Sequence, residues 1–244
     1  MIYKSLFADI HYNIVGKGNK LPILFCHGWG GDERSFLYFA KSFVDRKCIL
    51  IDFPPFGGSS DIKSPMSVSL YAKLVIKILK ENNIKDFYIV AHSFGARVAC
   101  EMCKLGFSPQ KMLITGGAGI KQKRKFIVSC KILHYKIIKY FCKYGLLSFD
   151  KLRNFGSKEY QSLSLLSKRT FVNITNYDET PFLKYVCCPT LLFWGKKDKV
   201  TPFYFTKIYK KHIKDCGVVC ASGGHFAYLQ NSKLFLKLLH TFFN

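Results

Sequence analysis

Short apolar runs at residues 21–26, 48–53, 87–91, 111–115 and 190–194 are each closed by a turn signal and separated by amphipathic segments. A run of this kind, with no polar residue alternating into it, needs cover on both faces, which the interior of a parallel sheet flanked by helices provides. Between the runs, residues 33–43, 67–82 and 94–105 carry apolar side chains at three- and four-residue spacing, as crossover helices do. A weaker alternation at 3–7 and 9–15 stops at Gly16-Lys17-Gly18 and predicts an antiparallel hairpin at the sheet edge. The last third repeats the theme, with a helix near 203–212, a strand near 217–221 and a terminal helix from about 226 to 243. The fold class is α/β, a mostly parallel sheet flanked by helices.

One stretch breaks the pattern. Between Gly116 and about Tyr185, roughly seventy residues pass without a clear buried strand, too long for a simple connection. The 244 residues therefore divide into a core of 1–115 and 186–244 and a helical cap inserted at 116–185. The insertion also concentrates charge: the chain carries 38 Lys+Arg against 15 Asp+Glu, net +23, and residues 121–169 hold thirteen basic and two acidic residues. Lysine in excess beside abundant Ile, Phe, Tyr and Asn is what an AT-rich coding sequence yields without any ligand. The charge alone thus speaks to solubility and non-specific attraction. No nucleic-acid reading motif accompanies it, and nucleic acid is set aside as a partner.

Within the insertion, residues 127–144 project as a basic amphipathic helix. Ile127, Cys130, Leu133, His134, Ile137, Ile138, Tyr140, Phe141 and Tyr144 fall in an arc of roughly 160°, with Lys131, Lys136, Lys139 and Lys143 opposite. The expectation is a cap helix with its apolar side over the core, where Ile137 and Phe141 contact the substrate. The same helix would suit an anionic partner or a membrane surface, making peripheral membrane contact the alternative.

The N-terminus has neither an apolar signal core nor a small-residue cleavage site, so the expected location is cytoplasmic and the ten cysteines are expected to be reduced thiols. Cys100 and Cys103 form a C-x-x-C pair, but no second pair stands at zinc-finger spacing and both fall inside a predicted helix, where they read as small hydrophobes. No uninterrupted apolar stretch is long enough to span a bilayer.

The chemistry sits at strand ends. Ala91-His92-Ser93-Phe94-Gly95 marks the passage from a strand to a helix; a serine on such a sharp turn is held with its hydroxyl exposed, and small residues two before and two after relieve the crowding. A serine needs a base, and the base an orienting group. Of the seven histidines, His225 follows Ser222-Gly223-Gly224 after a late strand, at the carboxyl edge where open α/β sheets bind ligands. His92 is adjacent to Ser93 and reads as local packing. Asp198 follows the strand at 190–194, so the order Ser93, Asp198, His225 matches that of a known hydrolase arrangement. The Phe94 and Trp29 amides are the expected oxyanion donors, the latter within His27-Gly28-Trp29-Gly30-Gly31.

On these residues the chain resembles the α/β-hydrolase superfamily. The motifs are His27-Gly28-Trp29-Gly30, the stretch from Asp52 to Ser59, Ala91 to Gly95, Trp194-Gly195 through Asp198 to Thr201-Pro202, and Gly223-Gly224-His225-Phe226. The resemblance implies an eight-stranded sheet, no metal or organic cofactor, and Ser93, Asp198 and His225 as catalytic triad. Serine at the nucleophile position argues against the epoxide and haloalkane hydrolases of the superfamily, which use aspartate there. Three departures stand out: Ala91 where glycine is commoner, Ala96 for a frequent second glycine, and Pro55 where the loop after Asp52 usually has glycine.

The expected function is hydrolysis of carboxylic esters or thioesters through an acyl-enzyme on Ser93, with an apolar acyl pocket beneath a basic cap. The substrate is a small-molecule ester, which an acidic carrier could present to the lysine-rich cap. The glycine-rich stretch at His27 is similar to that of the pimeloyl-carrier methyl ester esterases, which meet such a carrier. Rival readings are a carbon–carbon bond hydrolase of diketone-type substrates with the same triad, a membrane-surface lipase, and a non-enzymatic binder on the same fold.

Overall fold

A computed structural model describes the chain apart from residues 122–125, 145 and 149–157, with side chains also undescribed at 126–132, 158 and 159. Eight strands form a single sheet: β1 (Ile2–Tyr3), β2 (Ile10–Val15), β3 (Lys20–Cys26), β4 (Arg46–Ile51), β5 (Tyr88–His92), β6 (Lys111–Thr115), β7 (Thr190–Gly195) and β8 (Cys216–Ala221). Their spatial order is β1-β2-β4-β3-β5-β6-β7-β8. The β1–β2 and β2–β4 pairs are antiparallel and every later pair is parallel.

Both faces of the central strands are buried, which is why their sequences read as unbroken apolar runs. Ile23, Phe25, Leu50, Val90, Leu113 and Phe193 point to one side, where they meet Phe36 and Phe39 of α1 (Arg34–Ala40) and Phe235, Leu239 and Phe243 of α9 (Ser232–Phe243). Their alternates, among them Leu24, Ile51, Ile89, Met112, Ile114 and Leu192, face the other side. That side is covered by α2 (Val68–Glu81), α3 (Phe94–Lys104) and α7 (Phe205–His212). In α2, the side chain of Ser67 accepts the Leu70 N–H at 3.2 Å as an N-cap, and the apolar stripe from Val68 to Leu79 is buried. Nearly every residue of α3 is buried, because the helix lies against the sheet, α2 and a 3₁₀ turn at Thr180–Tyr185.

Three boundaries differ from the sequence reading. The first edge strand is shorter than 3–7, because Ser5 folds the chain back there: its hydroxyl donates to the Ala8 carbonyl at 2.6 Å and accepts from the Phe7 and Ala8 amides. The strand read at 48–53 runs instead over β4, and Asp52 and Phe53 belong to the loop beyond it. The terminal helix is broken into α8 (Ala227–Gln230) and α9 at Asn231, whose side-chain amide donates to the Ser222 and Ala227 carbonyls.

Between β6 and β7 the described residues contain no strand. They form α4 (Phe126–Lys143), α5 (Lys158–Ser162), α6 (Leu165–Asn176) and the 3₁₀ turn. The apolar arc of α4 does not lie over the core. Cys142 is buried and Tyr135 and Ile138 are partly so, whereas Leu133, Ile137, Tyr140, Phe141 and Tyr144 are exposed. The helix therefore packs through a strip at the edge of the arc, Ile138 with Tyr135 and Cys142, and the side chains of Ile127, Cys130 and Lys131 lie outside the described residues. No helix among the described residues is long and apolar enough to cross a membrane.

Candidate active site

Ser93 sits between β5 and α3 with φ 49° and ψ −108°, a left-handed conformation rare for a residue with a side chain. Three hydrogen bonds and two close approaches at glycines hold it there. Its N–H donates to the Thr115 carbonyl at 3.1 Å, and its own carbonyl accepts the Ala96 and Ala118 amides at 3.1 Å each. Gly95 lets α3 approach β3: a Cβ at that position would lie 2.2 Å from the Cys26 carbonyl oxygen. On the opposite side Gly28 leaves room for the turn, since a Cβ there would come within 2.8 Å of the His92 ring. Ala91, where glycine is commoner, is fully buried in β5.

The turn brings three distant stretches together. His225 Nε2 lies 3.0 Å from Ser93 Oγ, and His225 Nδ1 lies 2.9 Å from Asp198 Oδ2. Asp198 is 5% exposed, and its other oxygen, Oδ1, accepts the Val200 and Thr201 amides at 2.8 and 2.9 Å. Burial acts to raise its pKa, but the bonds from His225 and from Thr201 outweigh it and hold the carboxyl below the usual carboxylate value. An ionised carboxylate at this point fixes the ring so that Nδ1 carries the proton and Nε2 is free to accept from the serine.

Each loop end has a local reason to be where it is. Gly195 must be glycine because a Cβ would fall 2.2 Å from the Gly224 carbonyl oxygen, and the Lys197 N–H donates to Gly223 at 2.9 Å, tying the Asp198 loop to the His225 loop. Gly223 has φ 99°, and Gln230 Oε1 accepts the Gly224 N–H at 3.0 Å. The loop at 28–31 closes with the Gly31 N–H donating to the Gly28 carbonyl at 3.0 Å; Gly30 there has φ 82°, the value that a type II turn needs at its third residue. Among the described residues, the Trp29 and Phe94 amides take no part in the hydrogen bonds that fix these turns. Pro55 is accommodated after a cis Pro54–Pro55 bond, and Asp52 closes that loop by accepting the Gly58 N–H at 2.7 Å and the Glu33 N–H at 2.6 Å. Phe56 of the loop then packs edge-on against Trp29, with ring centroids 4.9 Å apart.

The other nearby histidines are structural. His92 Nδ1 donates to the Thr115 carbonyl at 2.9 Å, and its ring packs at a tilt against those of His225, Phe226 and Tyr228. Burial, with the neighbouring His225 ring adding to it, lowers its pKa to about 3, so it is neutral. His27 accepts the Phe53 N–H on Nε2 at 2.8 Å and donates from Nδ1 to the Gly28 carbonyl at 2.7 Å; burial lowers its pKa as well.

Ser93 and His225 open into a cleft of about 580 Å³ walled by Trp29, Phe94, Ile120, Phe171, Ile174 and Phe205. Neither Ile137 nor Phe141 lines it; they are 46% and 39% exposed on α4, so the wall expected from that helix comes from α6 instead. Sequence reading missed Phe171 and Ile174, although Ser164 ahead of an apolar i, i+3 pattern is a legible helix start; the Ser164 side chain accepts the Ser167 N–H at 3.2 Å. It also passed over Arg97, four residues beyond the serine on α3 and so on the same helix face. Cys100 and Cys103 are buried in α3; burial drives the Cys100 thiol well up and the Cys103 thiol to about 12. Among the described residues no three His, Cys, Asp or Glu side chains cluster as metal ligands.

The family model described as the alpha/beta hydrolase fold matches residues 22–118. An uncharacterised hydrolase of Bacillus subtilis, YugF, is 24% identical over 224 residues, spanning 82% of this chain and 81% of that one. The 2-succinyl-6-hydroxy-2,4-cyclohexadiene-1-carboxylate synthase of Escherichia coli is 35% identical over 84 residues, but the match spans only 34% of this chain and 33% of the synthase. Among solved structures, the esterase EaEST of Exiguobacterium antarcticum superposes with a TM-score of 0.75 at 18% identity, covering 96% of this chain and 95% of that one. Sheet order, the family match over residues 22–118 and the superposition agree that the chain has the alpha/beta hydrolase fold.

Proposed function

We propose that the protein is a serine hydrolase of carboxylic esters or thioesters. The observation that carries this reading is the hydrogen-bonded line from Ser93 Oγ through His225 to Asp198, with both links at 3.0 Å or less. His225 Nε2 takes the Ser93 proton as Oγ attacks the acyl carbonyl, and Asp198 stabilises the imidazolium that forms. The Phe94 and Trp29 amides donate to the developing oxyanion, each contributing about 3–4 kcal/mol in the transition state. His225 then protonates the leaving alcohol or thiol, and in the second half-reaction it deprotonates the water that releases the acid from Ser93.

The cleft supports an acyl pocket, since the groups around the serine are largely aromatic and aliphatic. Residues 116–185 act as the cap, with α6 supplying the wall over the pocket. The lysine-rich part of the cap is the surface on which an acidic carrier would dock; turnover of a carrier-bound ester that is indifferent to salt would remove that element.

The test is Ser93→Ala assayed on short 4-nitrophenyl esters. The expected result is loss of at least about 10³-fold in kcat with KM little changed, together with loss of covalent labelling by a fluorophosphonate. Undiminished turnover by the purified variant would exclude the assignment.

A further inference from the structure

Arg97 lines the cleft together with Ser93 and Phe171. It stands four residues, or about 6 Å of helical rise, beyond Ser93 on α3. Its side chain is nearly buried, the residue being 8% exposed. A guanidinium carries five N–H donors in a fixed fork. One nitrogen, Nη1, donates to the Tyr177 carbonyl at 2.7 Å. The nearest carboxylate, Glu179 Oε1, is 4.0 Å from that same nitrogen, and among the described residues neither Glu179 oxygen has a hydrogen-bond partner.

Arg97 is therefore a cation in a largely apolar cavity whose nearest described carboxylate, Glu179, stands at 4.0 Å without a hydrogen bond to it. Burial pushes the Glu179 carboxyl up to about 8 against the pull of Arg97, which weakens it as a counter-ion. Every other described residue lining the cleft is apolar, a glycine, a neutral hydroxyl or one of the two histidines. A desolvated cation in such surroundings is costly unless an anion meets it, and a planar fork suits a carboxylate in particular.

We propose that Arg97 is a specificity-determining residue that anchors a carboxylate borne by the substrate, so that the preferred ester carries a free acid group joined to the scissile ester by a short hydrocarbon spacer. This rests on the serine-esterase reading of the same site. The anchored acid belongs to the acyl part or to the alcohol part, and the fixed distance between Arg97 and Ser93 makes the spacer length selective in both cases.

The experiment compares matched esters on the wild type, Arg97→Met and Arg97→Lys. One pair, mono-4-nitrophenyl adipate and 4-nitrophenyl hexanoate, differs only in a terminal carboxylate on the acyl chain. The other, 4-(carboxymethyl)phenyl butyrate and 4-methylphenyl butyrate, differs in the same way on the leaving group. In one of the pairs, Arg97→Met is expected to lower the ratio of kcat/KM for the acidic ester over the neutral one by about 10- to 100-fold, mainly through KM. Arg97→Lys is expected to recover part of that ratio, since an ammonium restores the charge without the fork. A ratio unchanged within about twofold in both pairs, measured on protein that hydrolyses the neutral esters, overturns the role of Arg97 and leaves the esterase reading intact. Wild-type protein that hydrolyses none of the esters and takes no fluorophosphonate label overturns both.

Because Arg97 also holds the Tyr177 carbonyl, an unfolded Arg97→Met variant is answered on the wild type alone. Hydrolysis of the neutral ester is inhibited by adipate and, separately, by hexanoate, as well as by 4-hydroxyphenylacetate and 4-methylphenol. In the supporting outcome the inhibitor with the extra carboxylate binds at least about tenfold tighter in one of the two pairs. Equal inhibition within both pairs overturns the proposal.

Discussion

Thr201 Oγ1 lies 2.8 Å from Asp198 Oδ2, the same carboxylate oxygen that faces His225 Nδ1. The hydroxyl is also 3.1 Å from the Gly116 carbonyl and 3.2 Å from His225 Nδ1, so its one hydrogen and its lone pairs join all three groups. Asp198 is thus positioned by its own loop, through two amides and one hydroxyl from residues two and three positions later.

Thr201→Val keeps the shape of the side chain and removes that hydroxyl, leaving one carboxylate oxygen short of a donor and the imidazole less firmly oriented. The expected result is a fall in kcat of about tenfold with KM within about twofold, because a lost charge-assisted hydrogen bond is worth on the order of 1.5–3 kcal/mol and part is regained by relaxation. Thr201→Ser is expected to retain most of the activity. Steady-state kinetics on a 4-nitrophenyl ester decide the point; a Thr201→Val variant as active as wild type would show that the two amides suffice.

Close approach at the elbow makes a sharper forecast for stability. Adding a methyl group at Gly95 forces a contact of 2.2 Å on the Cys26 carbonyl oxygen, and that oxygen is backbone inside β3, so it cannot swing aside. Gly95→Ala is expected to cost at least about 2 kcal/mol despite the better helix propensity of alanine, appearing as a drop of roughly 4–8 °C in Tm. A melting temperature equal to or above that of wild type would contradict the packing described between α3 and β3.

How far such features were legible in the sequence depended on whether they were local. The central strands declared themselves because burial on both faces removes the polar alternation, and Ser93, Asp198 and His225 were traceable because each stands at a strand end with its own turn signal. Thr201 was visible only as part of a motif, because its work depends on the fold bringing Gly116 and His225 alongside. The orientation of α4 was not legible. A helix with apolar groups over so wide an arc has more than one strip able to pack, and Tyr135, Ile138 and Cys142 face inward while Ile137 and Phe141 face out. Nor does the helical period reveal that α6, with fewer apolar residues, supplies the cleft wall.

That exchange of helices leads to a contrast between positions. Phe171 lines the cleft and packs 5.5 Å from the Trp29 ring, whereas Ile137 does not line it. Phe171→Ala is expected to shift the preferred acyl chain to a longer one and to lower kcat/KM for a short ester by about tenfold or more, since removing a buried aromatic ring forfeits contact area with the substrate. Ile137→Ala is expected to leave the chain-length profile in place. The measurement is kcat/KM across 4-nitrophenyl acetate to decanoate, and a profile displaced by the α4 substitution but not by the α6 one would reverse the assignment.

Glu179 ties pH to stability. Its carboxyl is buried beneath Gly119, where a Cβ would meet Oε2 at 2.3 Å, and burial raises its pKa from the ordinary 4.5 to about 8. The groups around it act in both directions: Arg97 and Lys104 favour the ionised form, while Glu101 and Asp178 oppose it, and the buried Tyr209 and Cys100 lie close enough to feel its charge. An acid raised on folding binds a proton in the native chain that the unfolded chain has already lost. Its contribution to stability is therefore complete below about pH 4.5 and disappears as pH rises through about 8. The slope in that window is at most about 1.4 kcal/mol per pH unit, which for a chain of this length is roughly 3–6 °C in Tm. Glu179→Gln keeps the size and removes the titration, so its melting curve between pH 5 and 9 is expected to lie near that of wild type at pH 5 and to rise above it progressively toward pH 8. Parallel curves over the whole range would mean that Glu179 is already ionised in the folded protein at neutral pH, with Arg97 as its partner.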